Sequence, residues 1–226
     1  MLKAYLDESN SNLQGNVCVV AGFVGTPTQW ETFENDWYPA LHPKKRLHMK
    51  ELRWTSEDRE ILARVGILPD QHGLRRIVST VPNKAYRQFV EGKIRHHYAN
   101  PYVLGVQMCV AQLLRDTALD SVQIAIFFEA HGVFKPRIAD LNGVIQEYHR
   151  SERILSVENL PKGSCIAFEI ADYLSYAVGQ FEEGTSGPHT DWTRPILGDG
   201  SCIGLRASAR DVEEIAAKGI KVGMGV

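Results

Sequence analysis

Residues 17 to 24 read Val-Cys-Val-Val-Ala-Gly-Phe-Val, an almost unbroken apolar run rich in β-branched side chains. It lacks the polar alternation of a half-wet strand and fits a strand covered on both faces of a sheet. The stretch before it, Leu2 to Ser9, alternates Leu2, Ala4 and Leu6 with Lys3 and Tyr5, which suits a half-buried strand. A short polar turn joins the two and predicts an antiparallel hairpin. The first strand ends in adjacent carboxylates, Asp7 and Glu8, which strand geometry sends to opposite faces.

Helix signals follow at once. Thr26-Pro27-Thr28 marks a start, and Trp30, Phe33, Trp37 and Leu41 recur at helical spacing, so this helix should lie on the sheet by its aromatic face. Residues 57 to 65 predict an amphipathic helix, and residues 76 to 81 and 86 to 90 predict strands. The segment from Tyr102 to Leu114 is apolar on nearly every side and reads as a helix buried between layers. Residues 121 to 129 form a second central strand, with Val122, Ile124, Ile126 and Phe128 on one face and Glu129 ending the other. A helix over 136 to 150 and a strand over 153 to 157 come next. Ile166, Ile170, Leu174, Ala177 and Phe181 then make one helical stripe, with Glu169 and Asp172 a turn apart on its flank. Beyond Gly184 periodicity fades, except for a final short helix capped by Ser208.

The net charge of -2 rules out a global positive field that would recruit nucleic acid, so such a partner would need a local patch. Residues 44 to 52 supply one, with Lys44, Lys45, Arg46, His48 and Lys50 around a single Glu51. A solvated basic turn is the ordinary reading of such a run, and contact with phosphates is the functional one. If the run is helical, His48 and Glu51 share a face. Cys18, Cys109, Cys165 and Cys202 have no paired spacing and read as reduced thiols. No stretch approaches a membrane-spanning length and the start carries no secretory pattern, so a soluble, cytoplasmic protein is expected.

Three carboxylates stand in comparable places: Asp7 and Glu129 at strand ends and Asp172 on a late helix whose other face is apolar. Any one of them is an ordinary solvated acid. Together they suit a hard cation such as Mg²⁺ or Mn²⁺, which takes oxygen ligands converging from separate elements.

The runs Tyr5-Leu6-Asp7-Glu8-Ser9, His48-Met49-Lys50-Glu51-Leu52 and Ile170-Ala171-Asp172-Tyr173-Leu174-Ser175-Tyr176-Ala177 resemble the domain-of-unknown-function (DUF) 3800 family. That family is regarded as RNase H-like, with a Tyr-Ile-Asp-Glu-Ser-Gly opening, a His-x-Lys-Asp/Glu segment and a closing Leu-Gln-x-Ala-Asp-Leu helix. The resemblance spans about residues 1 to 183 and leaves 184 to 226 as a tail with a short helix packed on the same domain. It implies an α/β fold, an RNase H-like mixed β-sheet with an antiparallel N-terminal hairpin and further strands, flanked by helices.

The resemblance further implies a metal-dependent nuclease or phosphodiesterase that uses one or two Mg²⁺ or Mn²⁺ ions. Asp7 would be the first-strand ligand with Glu8 as a second, Asp172 the ligand on the last helix, and His48 a catalytic neighbour. Glu51, Lys50 and Glu169 would border the site, while Lys44, Lys45 and Arg46 would hold a nucleic-acid backbone. Glu129 stands where the family usually has aspartate, Glu169 replaces its glutamine, and Asn10 replaces its glycine. Two other functions remain open: a non-catalytic binding module on the same fold, and a hydrolase of small phosphorylated metabolites.

Overall fold

The computed structural model describes residues 1–9, 15–90, 101–116, 121–130, 152–161, 163–198, 202–206 and 208–222. Strand β1 (Leu2–Ser9) pairs antiparallel with β2 (Val17–Gly25), with Asp7 opposite Ala21 and Glu8 opposite Val20. β2 pairs antiparallel with β3 (Arg75–Pro82). On the other side of β1 lies β4 (Ile124–Ala130), parallel to it, and β5 (Ile154–Pro161) runs parallel outside β4. A last strand, β6 (Cys202–Arg206), adds parallel to β3. Among the described residues this is a mixed, open sheet in the order β5-β4-β1-β2-β3-β6, flanked by helices. Every residue of β2 is buried, as its composition requires.

Side-chain alternation divides the sheet between two cores. Ala4, Leu6, Val20, Ile77, Ile126 and Phe128 face α4 (Pro101–Arg115) and α3 (Asn83–Phe89). Tyr5, Val19, Ala21, Phe23 and Phe127 face α1 (Pro27–Leu41), α2 (Ser56–Gln71) and α5 (Ile166–Glu182). Tyr5 stacks on Phe127 at 4.9 Å, which fixes that face of β1 and β4. Two residues further along each strand, Asp7 and Glu129 point the same way. That face is the one covered by the helix carrying Asp172.

Local chemistry sets the helix positions. Thr26 and Gln29 cap α1 reciprocally, the Gln29 amide donating to Thr26 Oγ1 at 3.2 Å and the Thr26 amide to Gln29 Oε1 at 2.8 Å. Trp30, Phe33, Trp37 and Leu41 are buried as the spacing predicts, and Trp30 Nε1 donates to the Lys3 carbonyl at 3.0 Å, anchoring α1 to β1. Cys165 holds the N-cap position of α5 without a side-chain cap; the stripe is buried from Ile166 to Ala177, while Phe181, in the last turn, is 61% exposed.

Residues 86 to 90, expected as a strand, belong instead to α3 and its cap. Ala85, Tyr86, Phe89 and Val90 all join the core beneath α4, a spacing of three and four that a helix satisfies and alternation does not. The central strand expected from Ser121 begins only at Ile124, since Ser121 turns through φ 68°. The helix expected over 136 to 150 lies outside the described residues.

The segment after Gly184 forms α6 (Pro188–Asp191), α7 (Arg194–Leu197), the unforeseen β6 and α8 (Ala209–Val222). Arg76 ties it down: its buried guanidinium donates to the Ile196 carbonyl at 2.7 Å and to both oxygens of Asp70 at 2.6 and 2.8 Å. Ser208 caps α8 as expected, exchanging hydrogen bonds with Asp211. Among the described residues no helix is long and apolar enough to cross a membrane. Cys18 and Cys109 are buried and Cys165 is half-buried.

Candidate active site

An acidic cleft of about 440 Å³ opens between the end of β1, the end of β4, α5 and the segment from Arg46 to Glu51. Asp7, Glu8, Glu129 and Asp172 all line it, as do His48, Glu51, Lys50, Glu169 and Arg46. Of the residues singled out from sequence, Lys44 and Lys45 are not part of its lining.

Asp7 is 7% exposed, and Glu8, beside it at the strand end, is half-buried. Burial and then the neighbouring charge of Asp7 push the Glu8 carboxyl well above its usual range, with Glu129 adding to the effect and Lys50 opposing it. Glu129 accepts a hydrogen bond from the Gly163 amide at 3.0 Å. Gly163 adopts φ 72°, a conformation that favours glycine and lets its amide turn toward the carboxylate.

The other half of the cleft is a clamp between α5 and residues 47 to 49. Glu169 Oε2 accepts from the Leu47 amide at 2.7 Å, and Asp172 Oδ2 accepts from the Met49 amide at 2.9 Å. Leu47 and Met49 are buried, so the intervening His48 turns toward the cleft, where its Nδ1 lies 2.8 Å from Asp172 Oδ2. The basic run is therefore extended up to His48 and closes in a single 3-10 turn, Met49–Glu51, rather than an α-helix. Alternating burial of Leu47 and Met49 was the sequence signal for this. Tyr176, one turn beyond Asp172, has its phenol pushed up to about 12 by burial and by the Asp172 charge.

Burial pushes the Glu169 carboxyl above its usual range, against the stabilising Leu47 amide. Glutamine keeps an acceptor oxygen for that amide and removes the desolvated charge. Glu169→Gln should therefore match or exceed wild-type stability at pH 7, by up to about 1 kcal/mol. The sign follows from the raised folded value: the acid's penalty builds as the pH rises from the ordinary glutamate range near 4.3 up to that value, so the gain should fade below this range. Urea denaturation at pH 7 and pH 4 checks this, and a loss above about 1 kcal/mol at neutral pH would show that the charge is needed.

The basic residues divide. Lys44 Nζ lies 2.8 Å from Asp58 Oδ1, at the buried start of α2 and away from the cleft. Burial would raise the Asp58 carboxyl, but hydrogen bonds from Lys44 and Thr55 outweigh it and hold it below the usual aspartate range. Its contribution to stability is thus fully present above about pH 4 and is lost as the pH falls through the lower folded value. Lys44→Ala should cost about 1 kcal/mol at pH 7 and progressively less in acid, and a penalty that stays constant down to pH 3 would contradict it. Arg46 pairs with Glu51 at 2.7 Å while 65% exposed, an association weak enough to yield to a ligand.

All four candidate metal ligands are hard carboxylate oxygens, the donor type that Mg²⁺ and Mn²⁺ take. As the side chains stand, no three His, Cys, Asp or Glu groups among the described residues form a ready ligand cluster, so ligation calls for rotation of Asp172 or Glu129 out of the hydrogen bonds just described. No protein-family model and no curated protein matches the chain.

Proposed function

We infer that this cleft is a divalent-cation site serving phosphodiester hydrolysis, and that the chain is a metal-dependent nuclease or phosphodiesterase of RNase H-like fold. The carrying observation is convergence: acids from β1, β4 and α5, distant in sequence, line one cavity together with Arg46 and Lys50. The antiparallel β1–β2 hairpin within a mixed sheet and the resemblance to DUF3800 proteins support the same conclusion.

Asp7 would be the central ligand, with Glu8, Glu129 and Asp172 completing the set. A bound Mg²⁺ or Mn²⁺ would supply an activated water and stabilise charge on the leaving oxygen. Arg46 and Lys50 would position the phosphate without reading sequence. His48, oriented by Asp172, would exchange a proton at the cleft. Cleavage of at least one of three substrates, a single-stranded oligonucleotide, a double-stranded one and a generic phosphodiester, should appear with Mn²⁺ and vanish with chelator. No cleavage of any of these with either cation would reject the hydrolase.

One observation favours the binding module instead: Asp172 is already engaged by the Met49 amide and His48, a structural role that needs no metal. Mn²⁺ separates the two, because only a cation site gains thermal stability from it by mass action.

A further inference from the structure

Near the cleft, four aromatic side chains gather at the margin of the core under α1, α2 and α5, with Trp54, Tyr176 and Trp192 packed against it. Trp54 lies 4.0 Å from His189, 5.8 Å from Tyr176 and 6.1 Å from Trp192, centroid to centroid. His189 is exposed and the other three are half-buried. Tyr176 Oη and His189 Nδ1 share a hydrogen bond of 2.6 Å. The backbone of Trp54 adopts φ 58°, a left-handed conformation that is uncommon for a bulky residue and that concentrates at ligand sites.

The group adjoins the cleft through two elements. Trp54 follows the cleft's 3-10 turn by three residues, and Tyr176 stands four residues beyond Asp172 on the same helix face, a rise of about 6 Å. Along the chain, exposed Lys50 and Arg53 precede Trp54 and exposed Arg194 follows Trp192, with the acids Glu51 and Asp191 among them. Aromatic faces alternating with cations are the means by which proteins hold unpaired bases while tracking a backbone.

We propose that Trp54 and His189 form a stacking platform for an unpaired nucleobase next to the phosphodiester in the cleft, so that the substrate is single-stranded nucleic acid. This rests on the phosphodiesterase function inferred above and narrows its substrate class. A duplex keeps its bases stacked on one another and cannot offer one to the rings.

Binding is read in chelator, where no cleavage occurs, by fluorescence anisotropy of labelled single-stranded DNA, single-stranded RNA and duplex of about 12 nucleotides. The wild type should bind one or both single strands more tightly than the duplex, and the preferred sugar follows from the two single-stranded arms. Trp54→Ala and His189→Ala should weaken single-strand binding about 5- to 100-fold and leave duplex binding unchanged. Trp54→Phe keeps a ring and should retain most of the affinity, which guards against a folding defect in Trp54→Ala. Unlabelled single strand should quench intrinsic tryptophan fluorescence in the wild type and quench it less in Trp54→Phe. Equal affinity for single strand and duplex, or wild-type affinity in both alanine variants, overturns the platform. Ring-dependent binding without Mn²⁺-dependent cleavage would keep the platform and reject the hydrolase. Cleavage indifferent to both variants and to strandedness would do the reverse.

Discussion

Asp7→Asn is expected to abolish metal-dependent cleavage while the protein stays folded. The substitution preserves shape and most hydrogen bonding but removes one of the negative charges crowded at the end of β1. Asp7 is the second-largest cause, after burial, of the raised Glu8 carboxyl, so relieving that repulsion should leave thermal stability equal or slightly higher without metal. The wild type should gain stability on adding Mn²⁺, about 2.7 kcal/mol at one hundred times Kd, and the variant much less. A fall in activity of at least about a hundredfold is expected, as for removal of a main electrostatic contributor at a reacting centre. Calorimetry with a cleavage assay checks both parts, and equal Mn²⁺ stabilisation of the two proteins would remove Asp7 from the site.

Gly22→Ala is expected to damage the fold itself. Gly22 pairs with Leu6 in the β1–β2 ladder, and a Cβ at Gly22 would fall 1.8 Å from the Tyr5 carbonyl oxygen. The obstacle is main chain, so no side-chain rotation can relieve it. β1 would have to separate from β2 two residues before Asp7. The expected penalty is at least about 3 kcal/mol, a large share of the 5–15 kcal/mol that holds a typical domain. Denaturant melts of the two proteins measure it, and a loss below about 1 kcal/mol would show that the strands adjust more easily than the register suggests.

The parts of the molecule that were legible in sequence are those where one local pattern sufficed. The apolar run of β2, the aromatic face of α1 with its Thr26 cap and the stripe of α5 all record burial directly. Asp7 and Glu129 were legible as strand ends and Asp172 as the flank of a helical stripe, and alternation placed Asp7 and Glu129 on one face of adjacent parallel strands once β1 and β4 were paired. That pairing is a long-range fact that no window of sequence contains. Residues 86 to 90 were misread because Tyr86 and Val90 alone fit either period, and only the burial of Ala85 and Phe89 beside them reveals the helix. β6 has five residues, one of them Gly204, which is too short for alternation to register. Lys44 looked equivalent to Arg46 in the basic run and differs only because the start of α2 brings Asp58 to it. The Leu47, Met49 and Gly163 amides hold the acids through backbone contacts with residues far along the chain, which no local window of sequence contains.

The central claim is that acids from three separate elements share a divalent cation. A crystal soaked in Mn²⁺, with anomalous scattering collected at the manganese edge, tests it most directly. The predicted result is a peak in the acidic cleft within about 2.0–2.3 Å of carboxylate oxygens from Asp7 and from Glu129 or Asp172, with those side chains rotated toward it. A cleft without a peak at saturating Mn²⁺, its Asp172 still held by His48 and the Met49 amide, would contradict the claim.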